Sequence, residues 1–258
     1  MESPVRAQIR GIPFDLVEPH TVLEAIERWR SQGERHFIVF ENPHCVQLAG
    51  RDPELKAALL RASLVLPDGI GITVGASLLG YHHCGRIPGP SFMFEVVSKG
   101  REFGFRHFFY GGGEGVPERV ARNFVAMFPG VQVAGTYSPP FRPLSGEEDA
   151  AAVQRINRAR PDVVWVALGA PKQEKWMAAH LGRITAPAMV GVGAAFDFHG
   201  GIKRRAPAWM QRCGFEWMFR SCQEWRMLKR NLDIPVFFLN VFHDAIRLRL
   251  LRLNPTST

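Results

Sequence analysis

The sequence predicts an α/β fold, a Rossmann-like parallel sheet with helices on both faces. Two observations support this prediction. Short runs rich in β-branched and aromatic residues alternate with segments of helical periodicity, at a spacing that suits strand–helix–strand units. These runs are also almost continuously apolar, as expected for strands that are covered on both faces.

Six apolar runs are predicted to form the strands. Each is short and is bounded by polar, glycine or proline residues, which is typical of strands in α/β proteins. They are residues 36–40, 63–66, 107–110, 131–135, 162–168 and 188–193.

The segments between these runs are predicted to be helices. Residues 52–62 begin with Asp52 as a helix N-cap and Pro53 at the first helical position, and both residues favour helix initiation. Pro117 suits the first turn of a second helix, over residues 117–128. The remaining predicted helices are residues 71–80, 91–100, 147–159 and 172–181.

The composition indicates a protein that folds without disulfides or metal. The chain has 258 residues and is 46% hydrophobic, which is enough for a large core. Its four cysteines are scattered without a C-x-x-C pair, so a reducing, cytoplasmic location fits best. We expect neither export nor integral membrane insertion, because no apolar segment has the length of a signal peptide or a spanning helix.

The basic charge is concentrated at the C-terminal end. From Lys203 onward there are eleven basic and four acidic residues, so this part carries +7 of the net charge of +8. We therefore predict two parts: a Rossmann-like catalytic body over residues 1–202, and a basic amphipathic helical appendage over residues 203–258.

A glycine loop follows the third predicted strand. Gly111, Gly112 and Gly113 precede a helix, so their backbone N–H groups can approach a phosphate. A dinucleotide site would need a third glycine where Val116 stands and an acid after the next strand, which instead ends near Tyr137. A nucleotide diphosphate is favoured over NAD, although a tight strand-to-helix turn explains the glycines equally well.

Three polar residues also follow strands, at the edge of the sheet where ligands bind in such folds. Asp68 lies in a Pro-Asp-Gly turn and is either a helix cap or a general base. Gln173 opens a helix, where it either binds phosphate and sugar oxygens or is merely solvated. Asp197 either accepts hydrogen bonds from sugar hydroxyls or caps a turn.

Several long segments, taken together, resemble the WecG/TagA/CpsF glycosyltransferases. The segments are collinear with that family over roughly residues 5 to 240 and include "LPDGIG", "GRIPG", "APKQE" and "AAFDFHGG". The resemblance implies an inverting enzyme at the cytoplasmic face of the membrane. It would transfer an N-acetylmannosamine-type sugar, its uronic acid or a glucose-like sugar from UDP to a polyprenyl-diphosphate-linked saccharide.

The resemblance also implies roles for individual residues. Asp68 matches the proposed general base, and Asn42 matches an active-site asparagine that holds acceptor or donor. Arg86 matches an arginine that contacts the diphosphate, Gln173 a glutamine required for activity, and Asp197 the lining of the nucleotide pocket. We expect no cofactor and no metal ion, because the family uses no D-x-D motif and none stands out here.

The sequence departs from the family pattern at three positions. Phe40 replaces a frequent threonine, Trp225 a proline and Asn231 a tyrosine. The donor sugar, the acceptor sugar, the polymer and the oligomeric state are not determined by the sequence.

The basic end of the chain mixes arginine with tryptophan and phenylalanine, which suits a helix at an anionic membrane surface. The alternative is an ordinary amphipathic helix that packs on the body. Nucleic-acid binding is not expected, because no nucleic-acid motif is present. The arginines expected to contact membrane or acceptor are Arg212, Arg220, Arg226 and Arg230.

Two other functional classes were considered beside a transferase. An epimerase-like enzyme that modifies a nucleotide sugar would need a nicotinamide site, which the glycine loop argues against. A protein that only binds nucleotide sugars would release no UDP with any acceptor.

Overall fold

The computed structural model describes residues 5–81, 85–213, 216, 218, 219 and 232–253. An antiparallel hairpin, β1 (Arg6–Ile9) and β2 (Ile12–Asp15), precedes the main sheet. The buried Asp15 carboxylate accepts the Val65 N–H at 2.8 Å and so joins the hairpin to the edge of the main sheet. Burial raises the pKa of Asp15.

The main sheet has six strands, all parallel, and confirms the predicted α/β fold. Each of the six predicted runs overlaps one strand, and their ends agree to within two residues. They are β3 (His36–Glu41), β4 (Leu64–Pro67), β5 (Arg106–Gly111), β6 (Gln132–Tyr137), β7 (Val163–Ala167) and β8 (Ala188–Gly191). Their order across the sheet is β4-β3-β8-β7-β5-β6.

Helices cover both faces of the sheet. Asp52 caps the helix that begins at Pro53 by accepting the Leu55 N–H, as predicted, and Ser145 with Glu148 forms a capping box on the helix that begins at Gly146. The helices are α1 (Pro19–Gln32), α2 (Pro43–Ala49), α3 (Pro53–Arg61), α4 (Ile70–Leu78), α5 (Gly89–Lys99), α6 (Val116–Met127), α7 (Gly146–Ala159), α8 (Lys172–His180), α9 (Ala195–His199), α10 (Ala208–Arg212) and α11 (Asp233–Leu253).

Two apolar cores lie on opposite faces of the sheet. Successive strand residues alternate between them: Phe109 and Trp165 belong to one core, and Tyr110 and Val166 to the other. Every residue of β4, β7 and β8 is buried, which explains why these strands are continuously apolar in the sequence.

The long helix α11 packs on the body through one of its faces. Phe237, Val241 and Ala245 are buried in the same core as residues of the sheet. Gly75 of α4 lets the Phe237 ring approach closely, since a Cβ at this position would lie 3.1 Å from it. Polar contacts extend the same face: His44 Nδ1 to Asp233 at 2.6 Å, Asn240 to Gln47 at 3.4 Å and Arg10 to Asp244 at 2.9 Å.

The predicted division of the chain at residue 202 stays a prediction. Much of the segment between α10 and α11 lies outside the described residues. Among the helices that the structure describes, none combines the length and apolarity needed to span a bilayer.

We predict that Phe237→Ala lowers the free energy of unfolding by about 3–5 kcal/mol, because it opens a cavity beneath α11. Phe242→Ala on the same helix is the matched control, since Phe242 is 58% exposed. Its effect should be within about 0.5 kcal/mol. Urea unfolding measures both values, and equal effects would contradict the docking of α11 on the body.

Candidate active site

The candidate site lies along the edge of the sheet where the six parallel strands end. The strands are in register there: Glu41 pairs with Pro67, Gly111 with Ala167 and Tyr110 with Tyr137. The residues that follow these positions therefore emerge along one edge, the arrangement in which open α/β sheets bind ligands.

Backbone hydrogen bonds bring Asn42, Asp68 and Arg86 to one end of this edge. The Asp68 N–H donates to the Glu41 carbonyl at 2.9 Å, and the Ile87 N–H donates to the Pro67 carbonyl at 2.9 Å. Three chain segments that are distant in sequence thus run side by side. Asn42, Asp68 and Arg86, which the sequence motifs single out, therefore lie on adjoining segments.

The local roles of Asn42 and Asp68 differ. Asn42 is the N-cap of α2, and its Oδ1 accepts the Cys45 N–H at 3.2 Å. Its side-chain NH₂ is therefore the group that it can offer a ligand. The N-cap of α4 is Gly69, with φ +98°, and not Asp68. The half-buried Asp68 carboxylate consequently precedes the helix at the edge of the sheet.

Gln173 joins the ends of β7 and β8. Its side chain is only 5% exposed, and its Oε1 makes no hydrogen bond to the described part of the protein. A Cβ at Gly191 would lie 3.3 Å from its Nε2, and a Cβ at Gly193 would lie 3.3 Å from its Oε1. The glycines at and just after the end of β8 thus leave the space that the Gln173 amide occupies. The buried amide oxygen of Gln173 stays available to a hydrogen-bond donor.

The glycine loop needs its glycines for geometric reasons. Gly111 has φ +106°, and a Cβ there would lie 2.5 Å from the Ala167 carbonyl oxygen. Gly112 has φ +75° and donates its N–H to the same carbonyl at 2.8 Å. The loop is thus held against the end of β7, and the tight turn considered from the sequence is present.

Tyr137 ends β6 beside this loop. Its ring centroid is 6.0 Å from that of Tyr110, and the Arg155 guanidinium lies 4.7 Å above the ring. Ser138, the next residue, donates its hydroxyl to the Gly112 carbonyl at 2.8 Å. Tyr137 and the glycine loop therefore belong to one structural unit at the second end of the edge.

Asp197 lies in the short helix α9 and has a cationic neighbour. Its Oδ2 is 2.8 Å from Lys203 Nζ, and its backbone carbonyl accepts the Lys203 N–H at 3.0 Å. A ligand hydroxyl would have to share this carboxylate with Lys203.

The predicted residues therefore form two groups with Gln173 between them. Asn42, Asp68 and Arg86 are at the β3–β4 end, and the glycine loop with Tyr137 is at the β5–β6 end. Strands β8 and β7 separate β3 from β5, a distance of about 14 Å at ordinary strand spacing. In α10, the structure describes the backbone of Arg212; Arg220, Arg226 and Arg230 lie outside the described residues.

Three acidic residues at this edge are not among the predicted site residues. Glu41 and Glu174 are fully buried, next to Asn42 and Gln173 respectively. Glu118 in the first turn of α6 accepts the Thr136 hydroxyl at 2.7 Å. Their position after or beside a strand end was visible in the sequence, but their burial and partners were not. Over the described part of the chain, no three His, Cys, Asp or Glu residues are grouped as metal ligands.

Comparison with known proteins agrees with this architecture. Residues 7–250 match the family model of the glycosyl transferase WecG/TagA/CpsF family. An N-acetylglucosaminyldiphosphoundecaprenol N-acetyl-beta-D-mannosaminyltransferase from Staphylococcus aureus strain MW2 is 26% identical over 241 residues, 93% of each chain. The protein of that name from strain NCTC 8325 is similar to the same extent. The resemblance inferred from the sequence motifs is confirmed, and the chain belongs to the WecG/TagA/CpsF family of glycosyltransferases.

Proposed function

We propose that this glycosyltransferase moves an N-acetylmannosamine-type sugar from UDP to a saccharide on polyprenyl diphosphate, in the synthesis of a cell-surface polysaccharide. The names of its relatives supply the sugar and the lipid-linked acceptor. The observation that carries the proposal is the juxtaposition of Asp68, Asn42 and Arg86 at the carboxyl edge of the sheet. One base, one amide and one cation are the groups that a direct displacement at an anomeric carbon needs.

In the proposed mechanism Asp68 acts as the general base. It takes the proton from the acceptor hydroxyl as that oxygen forms a bond to the anomeric carbon. The bond from this carbon to the diphosphate oxygen breaks on the opposite face, so the configuration inverts and UDP leaves. Asn42 orients the reacting sugars through its side-chain NH₂, because its Oδ1 already caps α2.

The leaving diphosphate gains negative charge, which must be stabilised. Arg86 supplies a cation from the segment that adjoins Asp68, and Lys172 is exposed in the first turn of α8. The N-terminus of α8 adds a favourable dipole at the same edge. We propose that these groups replace a divalent metal ion and that the reaction needs no cofactor.

The donor would lie along the edge of the sheet. Its reacting sugar would be near Asp68 and its uridine near the glycine loop and Tyr137, about 14 Å away by strand spacing. Gln173 lies between these ends, where its buried Oε1 can accept a hydrogen bond from the sugar or ribose.

We further propose that the enzyme binds peripherally to the cytoplasmic, anionic face of the membrane, where a polyprenyl-linked acceptor resides. The outer face of α11 supports this: Leu239, Phe242 and Ile246 are 70%, 58% and 44% exposed. The outer face of α4 adds Ile70, Val74 and Leu78, which recur every four residues and are 39–42% exposed.

These two faces adjoin each other. A groove between α4 and α11 is lined by Leu78, Ala245, Leu248 and Arg249. Exposed arginines, among them Arg247 and Arg249, flank the apolar residues of α11. Apolar side chains beside arginines are typical of surfaces that bind the interface of an anionic bilayer.

The proposed function is tested by incubating the full-length protein with UDP-N-acetylmannosamine and an N-acetylglucosaminyl-diphosphate-polyprenol. A lipid-linked disaccharide and an equal amount of UDP should form. UDP-N-acetylglucosamine serves as the control donor. Binding of the donor without a transferred sugar, with this or any other lipid-linked acceptor, would contradict the proposal.

Asp68→Asn should lower turnover roughly a hundredfold or more, because a positioned base contributes about 10²–10⁴ in rate. UDP affinity and thermal stability should stay near those of the wild type, since the substitution keeps the size of the side chain. Glu102→Gln, at an exposed acid in the turn after α5, is the control and should keep full activity. Full activity of Asp68→Asn would show that Asp68 is not the base.

Activity should survive EDTA, because Arg86, Lys172 and the α8 dipole are proposed to stabilise the leaving diphosphate. Arg86→Ala should lower turnover in the presence and absence of the chelator alike. Loss of wild-type activity in EDTA that Mg²⁺ or Mn²⁺ restores would refute metal independence.

Replacing Leu239 and Phe242 together by serine should weaken flotation of the protein with anionic vesicles, because both exposed apolar side chains would leave the lipid interface. The control is Val125→Ser with Met127→Ser on α6, where both residues are similarly exposed. High salt should weaken wild-type binding through screening of the arginines. Flotation that is equal for both double variants would contradict this surface.

A further inference from the structure

A carboxylate reaches the end of β6 from the neighbouring helix. The sequence has no acid at the end of this strand, where Rossmann-type dinucleotide sites place the acid that binds ribose. In the structure, Glu118 of α6 fills this position. Its Oε1 accepts the hydroxyl of Thr136, the penultimate residue of β6, at 2.7 Å.

The second oxygen of this carboxylate has no hydrogen-bond donor. Glu118 Oε2 is buried and makes no hydrogen bond to the residues that the structure describes. A buried carboxylate oxygen without a donor is costly, and such groups in native proteins commonly serve a ligand. The Glu118 residue as a whole is half-buried, and the last torsion of a glutamate is soft. A small rotation can therefore turn Oε2 toward the edge of the sheet.

The glycine loop lies next to this carboxylate. Gly115 is the N-cap of α6, three residues before Glu118. At the other end of the loop, the Gly112 carbonyl accepts the Ser138 hydroxyl, two residues after Thr136. The loop, the first turn of α6 and the end of β6 thus adjoin one another.

The charge of this region favours a hydroxyl donor over a phosphate. Glu118 already interacts favourably with the N-terminal dipole of α6. Glu114 adds a second negative charge in the glycine loop itself. Two carboxylates would repel a diphosphate, whereas a sugar hydroxyl can donate to either of them. Arg155 is a cation at this end, but its guanidinium already donates to the Thr136 carbonyl at 2.9 Å and lies over the Tyr137 ring.

We propose that Glu118 is a specificity-determining residue that accepts hydrogen bonds from the ribose hydroxyls of the nucleotide donor. Thr136 acts as a positioning residue that fixes the orientation of the carboxylate. This inference rests on the proposed use of a UDP-sugar. It assigns the glycine loop to the ribose and not to the diphosphate, so the enzyme selects ribonucleotides through an acid that comes from the helix.

The experiment measures the affinity of the full-length protein for UDP, 2′-deoxy-UDP, 3′-deoxy-UDP and N3-methyl-UDP by calorimetry. The wild type should bind UDP roughly 10- to 100-fold more tightly than at least one deoxy analogue, the ratio expected for a hydrogen bond to a charged group. Glu118→Gln should reduce this ratio of affinities. Glu118→Ala should bring the ratio to about one, chiefly by lowering the affinity for UDP. Glu147→Gln, at an exposed acid in the first turn of α7, is the control and should keep the wild-type ratio.

Several outcomes would overturn the inference. If the wild type binds UDP and both deoxy analogues with equal affinity, this result alone refutes the inference. If the Glu118 variants lower the affinities for UDP and for the deoxy analogues by the same factor, Glu118 has a structural role. Discrimination against N3-methyl-UDP, and not against the deoxy analogues, that the Glu118 variants lose would assign the carboxylate to the base. Sugar transfer with normal UDP binding but without hydroxyl discrimination would refute this inference alone, whereas a wild type that binds no UDP would refute the proposed donor as well.

Discussion

The alignment of parallel strand ends is the constraint on which the rest of this structure depends. Because β3, β4 and the segment around Ile87 are joined by hydrogen bonds at Glu41 and Pro67, three distant parts of the chain deliver their next residues to one place. No long side chain has to reach across the molecule. The segments that carry the candidate base, amide and cation are positioned by backbone hydrogen bonds.

The two ends of this edge differ in charge. At the β3–β4 end, Arg86 comes from the segment that adjoins Asp68, whereas Lys172 is exposed beside Gln173, between the two ends. At the β5–β6 end, Glu114 and Glu118 accompany the glycine loop, and the Arg155 guanidinium is bound to the Thr136 carbonyl. A nucleotide sugar has a matching polarity, since its diphosphate needs cations and its ribose offers hydroxyl donors. The orientation that we propose for the donor follows from this division.

One face of helix α11 packs in the core of the body, and its opposite face is exposed. Phe237, Val241 and Ala245 are part of a core that includes the sheet, so this helix contributes to the stability of the catalytic body. Its opposite face exposes Leu239 and Phe242 next to the outer face of α4, which begins directly after Asp68 and Gly69. A surface that binds lipid here would hold the candidate base close to the membrane from which a polyprenyl-linked acceptor comes.

The sequence by itself determined the sheet, most of the helices and the edge at which the site lies, because hydrophobic periodicity and caps such as Asp52 act over a few residues. It did not indicate the hairpin, whose strands have four residues each, or the helices α1 and α2. Asp68 and Gln173 were singled out because they come after strands, whereas the roles of Asn42 and Arg86 came from the family motifs.

Only the tertiary structure decided the strand order, the docking of α11 and the pairing of Glu118 with Thr136. Each of these joins residues that are far apart along the chain or on different elements. Local propensity carries no information about such partners, which are chosen by packing and by the need to satisfy buried polar groups. The sequence determined which residues emerge at the edge, and the fold decided which of them meet.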